Sequence, residues 1–490
     1  MRRRRTWSST SGFVIARALL ACSALLGLSA VVTIFDSGQA LLPLALLAAG
    51  TGLAGGGLRQ VCVPAPTLPA RAVHVAVFWG WVVLIGVGAL TYLVTGATDV
   101  ASRALIESTT GFTTTARSVL VDVQDLPRGV LFWRASTQWL GGFAALLVVV
   151  GVLPTLGVGG MGAQITSSDR SRLHLRSPRI IAATRRLAVG YASLSVVGIG
   201  LFLIAGLGPF DAVTYAMTTI STGGFANHPE SISHFDSVLV EWITAGGMAL
   251  GGTNLVLAFN ALRGKVTPLW RSSELRAYLG LILGATFLLT IWVSPSSGIT
   301  ATAFRQSFFA ATSALSTTGH TLSAWAGWAD GPWSLLILLA AVGAMSGAAG
   351  GGFRVIRAMV MVNVVVRETM GQLQPRSVVV IKVGRQPVPE ATVAHMVGYQ
   401  VAWVALAGVG AVGLALTGLE LEGSITGATS ALATWGPGLG VLAPGGTPSL
   451  ATIGVMTPLM LAGRLEISPV IIGLSSTFRS ATKRRRRRLR

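Results

Sequence analysis

Charge is what this sequence has least of. Only 11% of its 490 residues are Asp, Glu, Lys or Arg, against about 25% in an ordinary soluble domain. Acidic residues are the scarcer sign, 17 against 37 basic ones. So thin a supply cannot cover a soluble core of this length. Cysteine is almost missing. Cys22 and Cys62 cannot build a metal cluster, and their apolar or cytoplasmic surroundings argue against a disulfide. The six histidines contain no HExxH or similar metal spacing. The connecting segments are too short for a soluble catalytic domain. Neither an enzyme nor a bound cofactor is therefore expected.

In place of charge stand apolar runs, which make up much of a chain that is 52% hydrophobic. A helix needs about 20 such residues to cross a bilayer. Ten stretches qualify: 12–35, 40–58, 73–96, 130–156, 188–207, 238–262, 275–293, 333–366, 393–416 and 451–474. The opening MRRRRTWSST resembles the start of a cleavable signal. The run behind it is long and leads straight to a second span, so a retained first helix is expected.

A net charge of +20 and a pI near 11.6 would suit a nucleic-acid binder, but the charges are placed otherwise. Arg170, Arg172, Arg176, Arg179, Arg185 and Arg186 share one connection. Arg263, Lys265, Arg271 and Arg276 share the next alternate one, and Arg354, Arg357, Arg367, Arg376, Lys382 and Arg385 follow. With both tails, all fall on one side if the N-terminus is inside, which is the positive-inside pattern of a membrane protein. The terminal KRRRRRLR then reads as an anchor to anionic lipid, and no nucleic-acid partner is expected. Acids such as Glu107, Asp125, Asp211, Glu230 and Glu241 gather on the other side, where together they would concentrate cations. For any single one, ordinary loop solubility is the simpler reading.

A run of hydroxyls around glycine recurs four times: STTGFTTT at 108–115, STGGF at 221–225, STTGHT at 316–321 and, more loosely, TWGPG at 434–438. Each follows a semi-apolar stretch too short to cross: 101–110, 212–222, 304–318 and 424–435. The spacing predicts four re-entrant units of helix, short helix and helix around one axis. Non-helical backbone at membrane depth is tolerated only where it lines water or is buried in protein. Four such loops on one axis can offer carbonyls in place of a cation's hydration shell. The short helices point their negative ends the same way. The pairs Thr110 and Gly111, Thr222 and Gly223, Thr318 and Gly319, and Thr434 and Gly436 are the candidate cation-binding positions. Gly and Thr also serve as close-packing residues in membrane helices, but a fourfold match at corresponding points favours a filter.

Further text resembles a known family, the Trk/Ktr/HKT potassium transporters, and within it the Trk branch. QWLGG at 138–142, LPTLGVGGM at 153–161, GAAGGGFRVIR at 347–357 and GRLEI at 463–467 carry the resemblance together with the four loops. It implies an all-α integral membrane fold. Two N-terminal helices (residues 1–65) would precede four pseudo-symmetric pore repeats, at 66–165, 166–265, 266–375 and 376–490. It implies potassium uptake across the bacterial cytoplasmic membrane, with both termini in the cytoplasm, through a gated pore driven mainly by membrane potential. A sodium- or proton-coupled transporter is the alternative. A glycine at the marker position of every loop goes with potassium preference in the family, and Gly111 is taken as that residue in the first. The glycine run in the third unit suggests a broken helix; the family places a gating loop there, so Gly350, Gly351 and Gly352 are assigned to a gate. Arg464, costly in an apolar segment, is assigned with them. The resemblance further implies a homodimer docked on a separate cytosolic, nucleotide-binding ring. His320 in place of a common Phe, Thr434 and Trp435 in place of Asn and an aliphatic residue, and Arg354 in place of Lys depart from the family pattern.

Overall fold

The computed structural model describes residues 2–36, 38–62, 68–120, 123–152, 172–173, 178–294, 300–376, 379–384, 386–443, 446 and 448–476. The motif at 153–161, Arg170, Arg176 and the basic tail at 477–490 lie outside the described residues.

Helices α1 (Arg2–Ile34) and α2 (Leu41–Val61) form an antiparallel pair ahead of the rest. The first repeat follows as α3 (Ala70–Val94), the short α4 (Ala101–Phe112) and α5 (Arg128–Val152). The second is α6 (Pro178–Ile204), α7 (Pro209–Ile220), α8 (Val238–Gly251) and α9 (Leu255–Leu262), leading through α10 (Thr267–Arg271) to the third. That unit comprises α11 (Ser273–Val293), α12 (Ala301–Ser316), α13 (Asp330–Val342) and α14 (Val355–Leu373). The fourth is α15 (Glu390–Ala415), α16 (Leu421–Ala433), α17 (Leu450–Leu465) and α18 (Ile467–Ser476).

Six of these helices are long and apolar enough, by length and composition, to cross a membrane: α1 from Thr10, α2, α3 from Arg71, α6 from Ile181, α11 and α15. The four expected short helices are α4, α7, α12 and α16. Local signals set their ends. Pro209 stands in the first turn of α7, where its missing N–H costs nothing. The Thr300 hydroxyl caps α12 by accepting the Ala303 N–H at 3.1 Å.

Two spans expected to be continuous are broken. In 238–262, the chain leaves helix between α8 and α9, where the Asn254 side chain caps α9 and donates to the Ser346 carbonyl at 2.6 Å. In 451–474, α17 and α18 meet at 108° across Glu466, whose φ is 59°. Apolar runs carry no mark of such bends. The expected break in the third unit is present between α13 and α14.

The molecule is inverted relative to a soluble protein. Large aliphatics such as Leu53, Val61 and Leu416 face outward, between 79% and 85% exposed, while Thr110, Thr114, Thr222, Thr318 and Thr434 are fully buried. In water the outward face would cost about 25 cal/mol per Å² of apolar area. Against lipid it costs nothing, and this makes the fold a multi-pass membrane protein.

Candidate functional site: four re-entrant loops

Each short helix ends in the same way. Thr114, Thr222, Thr317 and Thr434 all have left-handed backbones, with φ between 53° and 59°. They are half of the eight described non-glycine residues with positive φ. A β-branched residue there is strained, by about 1–2 kcal/mol. Their N–H groups donate three residues back, to Gly111, Thr219, Ala314 and Ala431, at 3.0–3.1 Å. The next N–H donates five residues back in every loop: Thr115 to Thr110, Gly223 to Thr218, Thr318 to Ser313 and Trp435 to Ser430, at 2.8–3.0 Å. One hydrogen-bonding pattern thus sets the loops in register.

That register brings together Gly224, Gly319 and Gly436, each two residues past its threonine, with φ of 79°, 85° and 106°. At the corresponding point of the first loop stands Ala116. A methyl built on Gly224 or Gly319 would overlap the Ala116 methyl, and one built on Gly436 would overlap the Ala116 backbone.

Gly111 does not stand with them. It lies inside α4, where its carbonyl accepts the Thr114 N–H and its Cα packs toward Thr137. Thr110 is likewise helical; its hydroxyl donates to the Glu107 carbonyl at 2.9 Å. The repeated letters STTG place the first loop five residues early, because the helix continues through the glycine. In the second loop Gly223 precedes the ring glycine, and its carbonyl accepts from the Gln138 amide at 3.0 Å. Thr222, Thr318, Gly319, Thr434 and Gly436 lie in the loops themselves. The hydroxyls of Thr114 and Thr434 are buried with no hydrogen-bond partner among the described residues.

The family model described as TrkH: Cation transport protein matches residues 65–483. The chain belongs to the TrkH family. A Trk system potassium uptake protein TrkH from Vibrio parahaemolyticus is 32% identical over 413 residues, which cover 81% of this chain and 84% of the relative. The TrkH protein of Escherichia coli K12 is 31% identical over 420 residues, 84% and 86% of the two chains. The crystal structure of the potassium transporter TrkH from Vibrio parahaemolyticus matches with a TM-score of 0.86 at 28% identity, over 96% of this chain and 99% of that one.

In this TrkH-family chain the resemblance motifs have identifiable jobs. Gln138, from QWLGG, binds the second loop twice, since its Oε1 also accepts the Phe225 N–H at 3.0 Å. Gly141 has Phe112 backbone against it, where no Cβ fits. The sequence placed Glu107 among outward acids, but it is fully buried. It pairs with Arg134 at 3.0 Å and accepts from the Ser118 hydroxyl and the Val119 N–H. Arg134 also donates to the Ala226 carbonyl at 3.1 Å and lies over the Phe225 ring. His320 accepts or donates one bond, Nε2 to the Thr219 hydroxyl at 3.1 Å, and its ring stacks on Tyr215.

Beneath the loops, the glycine run folds against their helix ends. The Gly351 N–H donates to the Thr317 hydroxyl at 2.6 Å and the Gly352 N–H to the Ala433 carbonyl at 3.1 Å. A Cβ at Gly350 would meet the Ser316 carbonyl and Ala344. Arg464 is buried and donates to the Ala349 carbonyl at 2.5 Å and the Gly141 carbonyl at 3.3 Å. Arg354 donates to the Met345 and Ala348 carbonyls, both at 3.3 Å. Two guanidinium groups thus hold one loop. Glu466 is paired instead with Arg357, at 2.6 Å.

Proposed function

We propose that this chain takes up potassium across the cytoplasmic membrane through a gated, selective pore, driven mainly by membrane potential. The four loops in one hydrogen-bonding register carry the reading. They gather strained threonines and glycines at a buried point, with two unpartnered hydroxyls able to accept a cation. Relatives named for potassium uptake over most of their length support the choice of ion.

The filter positions are Thr222, Gly223, Thr318, Gly319, Thr434 and Gly436 as read from the sequence, with Gly224 added. The first repeat contributes Thr114 to Ala116 in place of Thr110 and Gly111. The gate consists of Gly350, Gly351 and Gly352 with Arg464, whose fixed charge repels cations as long as the loop stays on it. Both termini are cytoplasmic. The exposed Arg263, Lys265, Arg271 and Arg276 lie on that face by the positive-inside rule and meet anionic lipid headgroups. The protein works as a homodimer on a separate cytosolic nucleotide-binding ring, and no chemistry is catalysed.

Purified protein in lipid vesicles should accumulate labelled rubidium when the interior is negative. Uptake that ignores the potential but follows an imposed sodium or proton gradient would select a coupled carrier instead.

A further inference from the structure

The four ring positions are not equivalent. The loops pack in cyclic order, each repeat against the next and the fourth against the first. A residue in an open ring of four touches its two neighbours but not the one opposite. Ala116 lies against all three glycines, including Gly319 of the opposite repeat. It is also the one ring residue whose φ is not positive, as expected of a residue with a Cβ. The space that a second methyl would need at Gly224 or Gly319 is already filled by the methyl of Ala116.

Its backbone acts in the same sense. The Ala116 N–H donates to the Trp435 carbonyl of the fourth loop at 3.2 Å, and the Arg117 N–H donates to the Thr115 carbonyl at 2.8 Å. Two carbonyls at ring level are therefore engaged by N–H groups of the first loop. The next side chain fixes that loop. Arg117 is buried, 6% exposed, and its guanidinium donates to the carbonyls of Leu442 at 3.0 Å, Val441 at 3.3 Å and Gly446 at 3.2 Å. The first loop is thus tied at its backbone and at its side chain to the fourth repeat.

We infer that Ala116 is the restriction of this pore: its methyl closes the ring, and Arg117 is the positioning residue that holds it there. The inference rests on the uptake reading above. An ion passes when the Ala116 N–H leaves the Trp435 carbonyl and the loop withdraws from Gly319. Freed carbonyls then face the ion in place of its water. The size of the residue at 116 and the grip of residue 117 together set throughput and the discrimination between potassium and sodium.

The test uses the full chain in lipid vesicles, with initial fluxes of labelled rubidium and sodium measured separately. Ala116→Gly should raise rubidium flux by about tenfold, a barrier change near 1.4 kcal/mol, and alter the rubidium-to-sodium ratio. Ala116→Val should abolish flux. Arg117→Gln should raise flux and shift the ratio toward sodium, and Arg117→Lys, keeping the charge without the planar fork, should fall between Gln and the parent. If Ala116→Val fails to fold, Ala116→Gly, which only removes atoms, decides alone. Selective parental flux that Ala116→Gly leaves unchanged in rate and ratio overturns the restriction and leaves uptake standing. A silent parent with a conducting Ala116→Gly supports it. No flux in either defeats the uptake reading and the inference with it.

Discussion

Glu107 and Arg134 meet at 3.0 Å with both side chains almost completely buried, and through them the segments that follow the first two loops share one ion pair. Glu107 takes the Val119 N–H at 2.8 Å while Arg134 takes the Ala226 carbonyl at 3.1 Å. Removing one partner strands a buried charge, at a cost of about 3–5 kcal/mol. Glu107→Gln should therefore lower the thermal midpoint of the purified protein well beyond the effect of an outer-surface substitution such as Glu422→Gln. Equal midpoints for the two variants would show that the pair does not brace the loops.

Arg464 and the glycine run make the second prediction. With its hydrogen bonds to Ala349 and Gly141 lost, Arg464→Ala should raise unstimulated potassium flux, by about tenfold for each 1.4 kcal/mol taken from the barrier. Arg464→Lys keeps the charge and should change flux less. Flux and gating matching the parent in both variants, with normal insertion, would make Arg464 structural.

Gly319 has φ of 85° and abuts both Ala116 and the Trp435 carbonyl. Gly319→Ala adds backbone strain of about 1–2 kcal/mol and an overlap on top of it. If that cost falls on the conducting arrangement, rubidium flux should fall to about a tenth of the parental rate, tenfold for each 1.4 kcal/mol. Gly327→Ala, where a Cβ meets nothing, should leave it near the parental rate. Parental flux in Gly319→Ala would remove Gly319 from the ion path.

The segment beyond the second re-entrant loop carries a pH prediction. His228 stacks on His234 with ring centroids 3.5 Å apart. Partial burial, then the neighbouring His234, lower its pKa from the ordinary 6.5, against the opposing pull of Asp211 and Glu230. A histidine depressed in the fold contributes stability that is complete above its unfolded pKa and is lost as pH falls through the folded one. Protection of the 226–236 backbone against hydrogen exchange should decline as pH falls from the ordinary histidine value toward the depressed one. In His234→Ala, with less depression, the decline should be smaller and its midpoint should lie at higher pH. A midpoint unmoved by that substitution would mean that the two rings do not interact electrostatically.

Much of this was legible because lipid makes composition informative. Apolar runs gave the crossing segments, and four short stretches followed by hydroxyls and glycine gave α4, α7, α12 and α16. The breaks at Asn254 and Glu466 were not legible, since each depends on a partner distant in sequence, Ser346 for one and Arg357 for the other. The start of the first re-entrant loop was not legible for a related reason. STTG looks alike wherever it occurs, yet in the first repeat its glycine still belongs to the helix, and only the left-handed Thr114 marks where the loop starts. Ala116 offered no signal, because an alanine after three threonines has no distinctive chemistry until its neighbours are known. Glu107 was visible as an acid, but its burial depends on Arg134, 27 positions away.

The central claim is that potassium moves down its electrochemical gradient through the ring of the four loops, and the reversal potential of a planar bilayer holding the purified protein tests it most directly. With concentrated potassium chloride on one side and sodium chloride containing a little potassium chloride on the other, the current should reverse close to the potassium equilibrium potential and follow it as potassium is varied. A reversal potential near zero, or one that tracks the sodium or proton gradient, would contradict the account.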